Sequence, residues 1–142
     1  MKQQNFENHA RIVPLFHFGT ATVAGLLFIA SIVHLFYSTE ANLMLSIIVC
    51  ILCFTVVLAA FFTRVFALKA QDRAIRAEEN FRHYIRTGNP LDPKLTISQI
   101  IALRFAPDEE YDALAKRAIT AQLSSKQIKQ SIQHWKADYY RV

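Results

Sequence analysis

"LMLSIIVCILCFTVVLAAFF", residues 43–62, contains no charged side chain, no glycine and no proline. The uncharged stretch around it covers residues 41–63, and another uncharged stretch covers residues 12–39. A helix needs about 20 residues to cross the hydrocarbon core of a bilayer. The sequence therefore predicts two transmembrane helices, at about residues 15–37 and 43–66.

The link between the predicted spans, residues 38–42, is long enough only for a turn between antiparallel helices, so we expect a hairpin. Glu40 is its one charged residue, whereas both flanks of the hairpin are basic. Because basic residues are retained on the cytoplasmic side, we expect a two-pass protein of the bacterial cytoplasmic membrane with both termini in the cytoplasm. The basic residues are Lys2, Arg11, Arg64, Lys69, Arg73 and Arg76.

These basic flanks also explain the net charge of +5, since they would lie beside anionic lipid headgroups. We therefore expect these basic residues to contact the lipid bilayer, and we expect no nucleic acid as a partner. A cleaved signal peptide is the alternative interpretation of the first apolar run. We disfavour it because the run is longer than a signal core and no A-x-A site follows before the second run.

The remaining chain has a soluble, helical composition. Residues 67–142 contain one glycine, Gly88, and show no sustained alternation of the kind that indicates strands. The predicted fold is all-α: an interfacial segment at 1–14, a transmembrane hairpin at 15–66, and a cytosolic helical domain at 67–142. The second helix extends into that domain, because nothing interrupts it before Gly88 and Pro90.

Three shorter helices are predicted after it, at about 96–106, 107–121 and 125–137. "LTISQI" and "LSSKQI" are two similar capping boxes, in which Thr96 and Ser124 cap the first and third helices. Pro107 and an acidic run begin the middle helix, where the helix dipole favours negative charge. That run is Asp108, Glu109, Glu110 and Asp112. We prefer this explanation over a metal site.

A seam of small and aromatic residues follows the second helix at alternating steps of four and three, the spacing of packed helices. We favour packing against helices of the same chain over a homo-oligomeric coiled coil, because so few heptads specify little. A second small-residue face lies in the first span, and we favour hairpin packing there over contact with another protein. The candidates are Ala67, Ala70, Ala74, Ala77, Phe81 and Tyr84 in the seam, which Thr63 precedes, and Gly19, Ala21 and Gly25 in the span.

Two histidines, His17 and His34, lie near opposite ends of the first span, where membrane bundles place axial ligands of haem. Seventeen residues turn a helix through about 1700°, which leaves the two side chains roughly 100° apart. The second span contains no histidine to complete a site. We therefore expect no cofactor and keep a haem-binding or electron-transfer subunit as the alternative function.

The remaining motifs do not indicate catalysis. Cys50 and Cys53 form a C-x-x-C inside an apolar helix, where thiols are unreactive and pack as small apolar groups. The sequence has no arrangement of a nucleophilic triad and no glycine-rich phosphate loop. We expect no enzyme.

"QQNFENHARIVPLFHF", "LTISQIIALRFAPDEEYDALAKRA" and "IKQSIQHWKADYYRV" resemble a family of small bacterial two-span membrane proteins catalogued only as a domain of unknown function. The resemblance covers nearly the whole chain and implies no activity. It marks an N-terminal motif as characteristic of the family. In this chain the motif is Gln4, Asn5, Asn8, His9, Arg11, Pro14 and His17.

We expect this motif to lie along the membrane interface, either as a docking surface for a partner or packed on the chain's own C-terminal helices. Pro14 suits the first turn of the first span. The predicted function is a non-enzymatic accessory subunit or self-associating scaffold, which contacts itself or another membrane protein. The aromatic residues Trp135, Tyr139 and Tyr140 support a contact surface. A second alternative is an organiser of anionic lipid through the basic flank.

Overall fold

The computed structural model describes residues 4–9 and 12–139, and within them the chain is helical, with no strand. The predicted all-α fold is confirmed. Lys2, Arg11 and Tyr140 lie outside the described residues. The elements are a π-helical turn Leu15–Thr20, α1 Ala21–Phe36, a 3-10 turn Glu40–Asn42, α2 Leu43–Thr87, α3 Ile97–Leu103, α4 Asp108–Thr120 and α5 Ser125–Ser131.

The chain divides into two compact units. The hairpin unit comprises Arg11–Leu68, and the helical unit combines Met1–Ala10 with Lys69–Val142. Of the N-terminal segment, the described residues 4–9 belong to the helical unit. Helix α2 contributes residues to both units.

The hairpin unit contains two helices that are long and apolar enough to cross a membrane by length and composition. They pack through a narrow stripe in which Ala24, Ser31 and Ser46 are buried. Phe28 and Phe54 meet across the hairpin with their ring centroids 5.4 Å apart. The other large apolar side chains of this unit are mostly exposed.

The expectation that Ala21 and Gly25 pack the hairpin is wrong. Ala21 is exposed, and a Cβ atom added at Gly25 would meet nothing within 4 Å. An added Cβ at Gly19 would meet only the side chain of Leu15, one turn away in the same helix. The packed stripe runs instead through Ala24, because that side of α1 faces the second helix.

The helical unit has a core of its own. Both predicted capping boxes are present, so Thr96 starts α3 and Ser124 starts α5 with their side chains on the first-turn amides. Residues of α3, α4 and α5 then meet in one apolar cluster. Its fully buried members are Ala102, Leu103, Phe105, Ala106, Tyr111, Ala118 and Ile128.

Two helices are shorter than predicted. Helix α3 ends at Leu103 because the chain then tightens into i→i+3 hydrogen bonds, from the N–H of Phe105 to Ala102 and from that of Ala106 to Leu103, before Pro107 begins α4. Helix α5 ends at Ser131, and Ile132 is already extended. The carboxylate of Glu110 accepts hydrogen bonds from the backbone N–H groups of Gln133 and His134, both at 3.0 Å, and so replaces the next helical turn.

Candidate functional site

The part of α2 in the helical unit has two different faces. One face packs on the unit, with Ile75 and Glu79 buried and Arg82 and His83 half-buried. The other face is the predicted seam, and it is exposed at Ala70, Ala74, Ala77, Phe81 and Tyr84. The expectation that the seam packs within the chain is therefore wrong for these residues.

The aromatic end of the seam is the most exposed part. Phe81 retains 64% of its accessible surface and Tyr84 retains 54%, and neighbouring Ile85 retains 67%. Exposed apolar side chains that lie together on one face mark interaction sites in soluble parts of proteins. The seam residues predicted as interface candidates are thus available for contact, apart from Ala67, which is half-buried in the hairpin unit.

The packed face holds a polar cluster that the sequence pattern did not predict. Arg82 donates through Nε to Asp108 at 2.7 Å and through a terminal nitrogen to the carbonyl of Ala106 at 2.9 Å. Arg86 donates to Asp112 at 2.9 Å and to the carbonyl of Asp108 at 2.7 Å. Two arginines one turn apart therefore clamp the acidic start of α4.

The protonation equilibria agree with this clamp. The hydrogen bond and charge of Arg82 lower the pKa of Asp108 below its ordinary value. Burial acts to lower the pKa of Arg82, but Asp108 and Glu79 outweigh burial and raise it. Both groups therefore remain charged at neutral pH, and the carboxylates engage arginine.

Tyr111 lies beneath the clamp and is fully buried. The guanidinium carbon of Arg82 is 4.7 Å from the centre of its ring, and that of Arg86 is 5.9 Å away. Burial raises the pKa of Tyr111 above its ordinary value, and the charge of Glu79 raises it further. The phenol stays neutral and serves as a packing platform for two cations.

The acidic run is thus a structural element. Asp108 and Asp112 face arginines, and Glu110 caps the segment after α5. The part of the chain that the structure describes contains no group of three His, Cys, Asp or Glu residues arranged to hold a metal ion. His83 lies 3.3 Å from Asp112 through Nδ1 and joins the same cluster.

The N-terminal motif packs on the C-terminal segment. Gln4 is buried and exchanges two hydrogen bonds with the backbone of Asp138, at 2.8 and 3.4 Å. Asn5 and Asn8 bond each other's backbone amides and close a tight turn. The sequence left two interpretations of this motif, a docking surface for a partner or packing on the chain's own C-terminal part. Gln4 and His9 pack on the chain itself.

His9 is the centre of this contact. Its Nδ1 is 2.6 Å from the carbonyl of Phe6, and Lys129 approaches Nε2 at 3.0 Å. The ring also contacts Phe105 and Trp135, with centroids 5.8 and 5.7 Å away. The contact therefore joins an N-terminal residue to the apolar core of the helical unit.

The hairpin histidines do not converge. Nδ1 of His17 is 2.9 Å from the carbonyl of Val13, one turn earlier, and Pro14 directly precedes the π-helical turn. Nδ1 of His34 is 3.2 Å from the hydroxyl of Ser46 on α2. At 1.5 Å per residue the two rings are separated by about 26 Å along the helix. His17 thus forms a contact within its own helical segment, and His34 forms a contact between the two helices.

The two cysteines lie on the stripe that packs the hairpin. Cys50 and Cys53 are half-buried, and both are free thiols. Ser46, one turn before Cys50, is 1% exposed. This position agrees with the prediction that the cysteines pack as small apolar groups.

Comparison with known proteins identifies a family for this chain. The model of a family of unknown function, DUF6526, matches residues 1–142. No curated protein and no solved structure matches the chain. The motifs at both ends of the sequence and the match over all of it show that this protein belongs to the DUF6526 family.

Proposed function

We propose that the protein is a non-enzymatic membrane scaffold. In this proposal the hairpin unit spans the cytoplasmic membrane of a bacterium, and the helical unit lies in the cytoplasm. The exposed seam of α2 is the surface through which the protein associates with itself or with another membrane protein. The observation that carries the proposal is the contrast between the two faces of α2.

The contrast between the two faces requires an explanation, because one face of α2 is buried by the chain itself while the apolar side chains of the other face are not. Helix α2 packs on its own chain through Ile75, Glu79 and Arg82, and leaves Phe81 and Tyr84 in solvent. Leaving apolar surface exposed forgoes about 25 cal/mol for each Å² that a contact would bury. A second protein surface on the seam would recover that free energy.

Membrane insertion is supported by the exposed surface of the hairpin unit. Leu15, Val33 and Phe36 are largely exposed although the helices pack against each other. Lipid is the solvent that such a surface requires.

The test of membrane insertion is thiol labelling of whole cells, with Thr39→Cys in the link and Thr120→Cys in α4. A reagent that cannot cross the membrane should label the cysteine at position 39 and leave the one at position 120 unlabelled. Equal labelling of both would contradict a cytoplasmic helical unit.

Association through the seam is tested with Ala74→Glu in the full chain. The charge would lie inside the contact, whereas glutamate keeps a high helix propensity. Native mass spectrometry from lipid nanodiscs should show a complex for the unmodified protein and its loss in the variant. Ala113→Glu is the matched control, since Ala113 is an exposed alanine of α4. An unchanged complex in Ala74→Glu would refute the seam as the association surface.

A further inference from the structure

We infer that the partner on the seam is a second copy of this chain, with its α2 parallel and in register. Arg73 of each copy then pairs with Glu78 of the other. This inference rests on the proposed function and specifies its partner. It follows from the residues that border the seam.

The border residues have the pattern of a parallel pair. With Ala74 and Phe81 as one set of core positions and Ala70, Ala77 and Tyr84 as the other, Arg73 and Glu78 occupy flanking positions on opposite sides. In a parallel two-stranded coiled coil, such positions five residues apart meet between chains and select the partner by charge. An antiparallel pair would place Arg73 against Asn80 and Glu78 against Gln71, so no opposite charges would meet.

Both residues are available for this role. Arg73 and Glu78 are exposed, and neither forms an ion pair or hydrogen bond within the described part of the chain. Their neighbours Arg82 and Arg86, by contrast, are held by Asp108 and Asp112 on the packed face. The helix thus commits Glu79, Arg82 and Arg86 to its packed face, and Arg73 and Glu78 remain as the complementary charges that border the seam.

The direction of the pair follows from the membrane. Two copies inserted with the same topology direct α2 the same way through the bilayer, because the basic flanks fix one orientation. A twofold axis parallel to α2 then relates the copies, and each Arg73–Glu78 contact occurs twice. The small side chains of Ala70, Ala74 and Ala77 let the helices approach closely, and Phe81 and Tyr84 supply the large contacts.

Charge reversal tests the pairing in the full chain within nanodiscs. Arg73→Glu and Glu78→Arg should each weaken dimer formation several-fold, because each brings like charges together. The double variant should restore it. Lys69→Glu is the control, an exposed cation outside the flanking positions, and it should leave the dimer unchanged. Two weakened single variants without recovery in the double variant would overturn the pairing.

Cross-linking tests the direction, in a background with Cys50→Ala and Cys53→Ala. Ala70→Cys chains should form a disulfide-linked dimer, and Arg76→Cys chains, on the side of the helix, should not. Ala70→Cys chains that cross-link only to Phe81→Cys chains would show an antiparallel pair and overturn the inference. Because charge reversal needs no cysteine replacement, it remains decisive if the cysteine-free protein fails to fold.

The outcomes separate the inference from the proposed function. If Ala74→Glu abolishes a complex that contains a different protein, the seam is an association surface but the second copy is wrong. If Ala74→Glu leaves every complex intact, both fail together. A same-position cross-link with charge-dependent recovery supports both.

Discussion

The two units of this protein use apolar residues in opposite ways. In the helical unit the large side chains Leu103, Phe105 and Ile128 are fully buried. In the hairpin unit Phe36 retains 83% of its accessible surface and Met44 retains 76%. One unit excludes water by packing on itself, whereas the other leaves its large apolar side chains on its surface.

The buried residues of the hairpin unit reinforce this difference. They are small, and two of them are serines: Ser31 donates to the carbonyl of Phe28 at 2.7 Å, and Ser46 donates to that of Asn42 at 3.0 Å. Small and hydroxyl-bearing side chains are typical of contacts between helices in lipid. The large apolar side chains of the hairpin unit therefore form its outer surface, whereas those of the helical unit form its buried core.

A matched pair of leucine substitutions gives the largest expected effect. Leu103→Ala should lower the free energy of unfolding of the helical unit by about 2–5 kcal/mol, because it leaves a cavity in a closed core. Leu26→Ala should cost under about 0.5 kcal/mol in nanodiscs, since lipid fills the space. Denaturant titration of Trp135 fluorescence measures the first, and thiol labelling of Cys50 measures the second. Equal costs would remove the distinction between the units.

A buried polar residue gives the next effect. Gln99 accepts from the backbone N–H of Thr96 at 2.9 Å and donates to the carbonyl of Leu123 at 3.0 Å. Gln99→Leu should destabilise the helical unit by about 1–3 kcal/mol, because buried groups lose their partners.

Gln127 is the natural control, since it holds the same place in the other capping box and is exposed. Gln127→Leu should cost only about 0.5 kcal/mol, the low end of a lost cap. Both variants are measured by the same fluorescence titration. A smaller loss for Gln99→Leu than for Gln127→Leu would show that burial does not govern the contribution of the motif.

The sequence predicted those parts of the fold that local chemistry determines. The charge-free runs located both apolar helices, and the absence of glycine and proline predicted α2 up to Thr87. Thr96 and Ser124 marked helix starts because their side chains cap nearby amides. The end of α5 was wrong because Glu110, distant in sequence, captures the amides that would continue the helix.

The candidate site was predictable only in part. The steps of four and three identified the seam of α2, but they could not tell which partner it meets, since packing within and between chains uses the same spacing. The clamp of Arg82 and Arg86 was missed, although arginines one turn apart and an acidic helix start were both visible in the sequence. Pairing them requires the position of α4, which depends on tertiary packing.

A hydroxyl in the hairpin unit should have a smaller effect than Gln99. Ser46 is 3.2 Å from His34 of the other helix, and such interhelical contacts in membranes average about 0.6 kcal/mol. Ser46→Ala should destabilise the hairpin by about that amount, measured as faster labelling of the half-buried Cys50 in mixed micelles. Thr55→Ala is the control because Thr55 bonds only its own helix. Equal rates in the two variants would show that the contact contributes nothing.

The smallest expected effect is the pH dependence of the helical unit, because Asp108 and Glu110, the carboxyls whose pKa is lowered, reach solvent and are screened. Burial acts to raise the pKa of Glu110, but hydrogen bonds from Gln133 and His134 outweigh it and lower that pKa below the ordinary 4.5. The folded pKa therefore lies below the unfolded value. The contribution of Glu110 to the stability of the helical unit is complete above about pH 5 and is lost as the pH falls through the folded pKa.

Trp135 fluorescence should accordingly show a lower unfolding midpoint at pH 3 than at pH 6, and Glu110→Gln should reduce that difference. Glu109→Gln, an exposed neighbour, should leave it unchanged. The hairpin unit has one carboxylate, Glu40, so its helix content by circular dichroism should be the same at both pH values. If the hairpin unfolded with acid as the helical unit does, its stability would depend on charge and not on an apolar solvent.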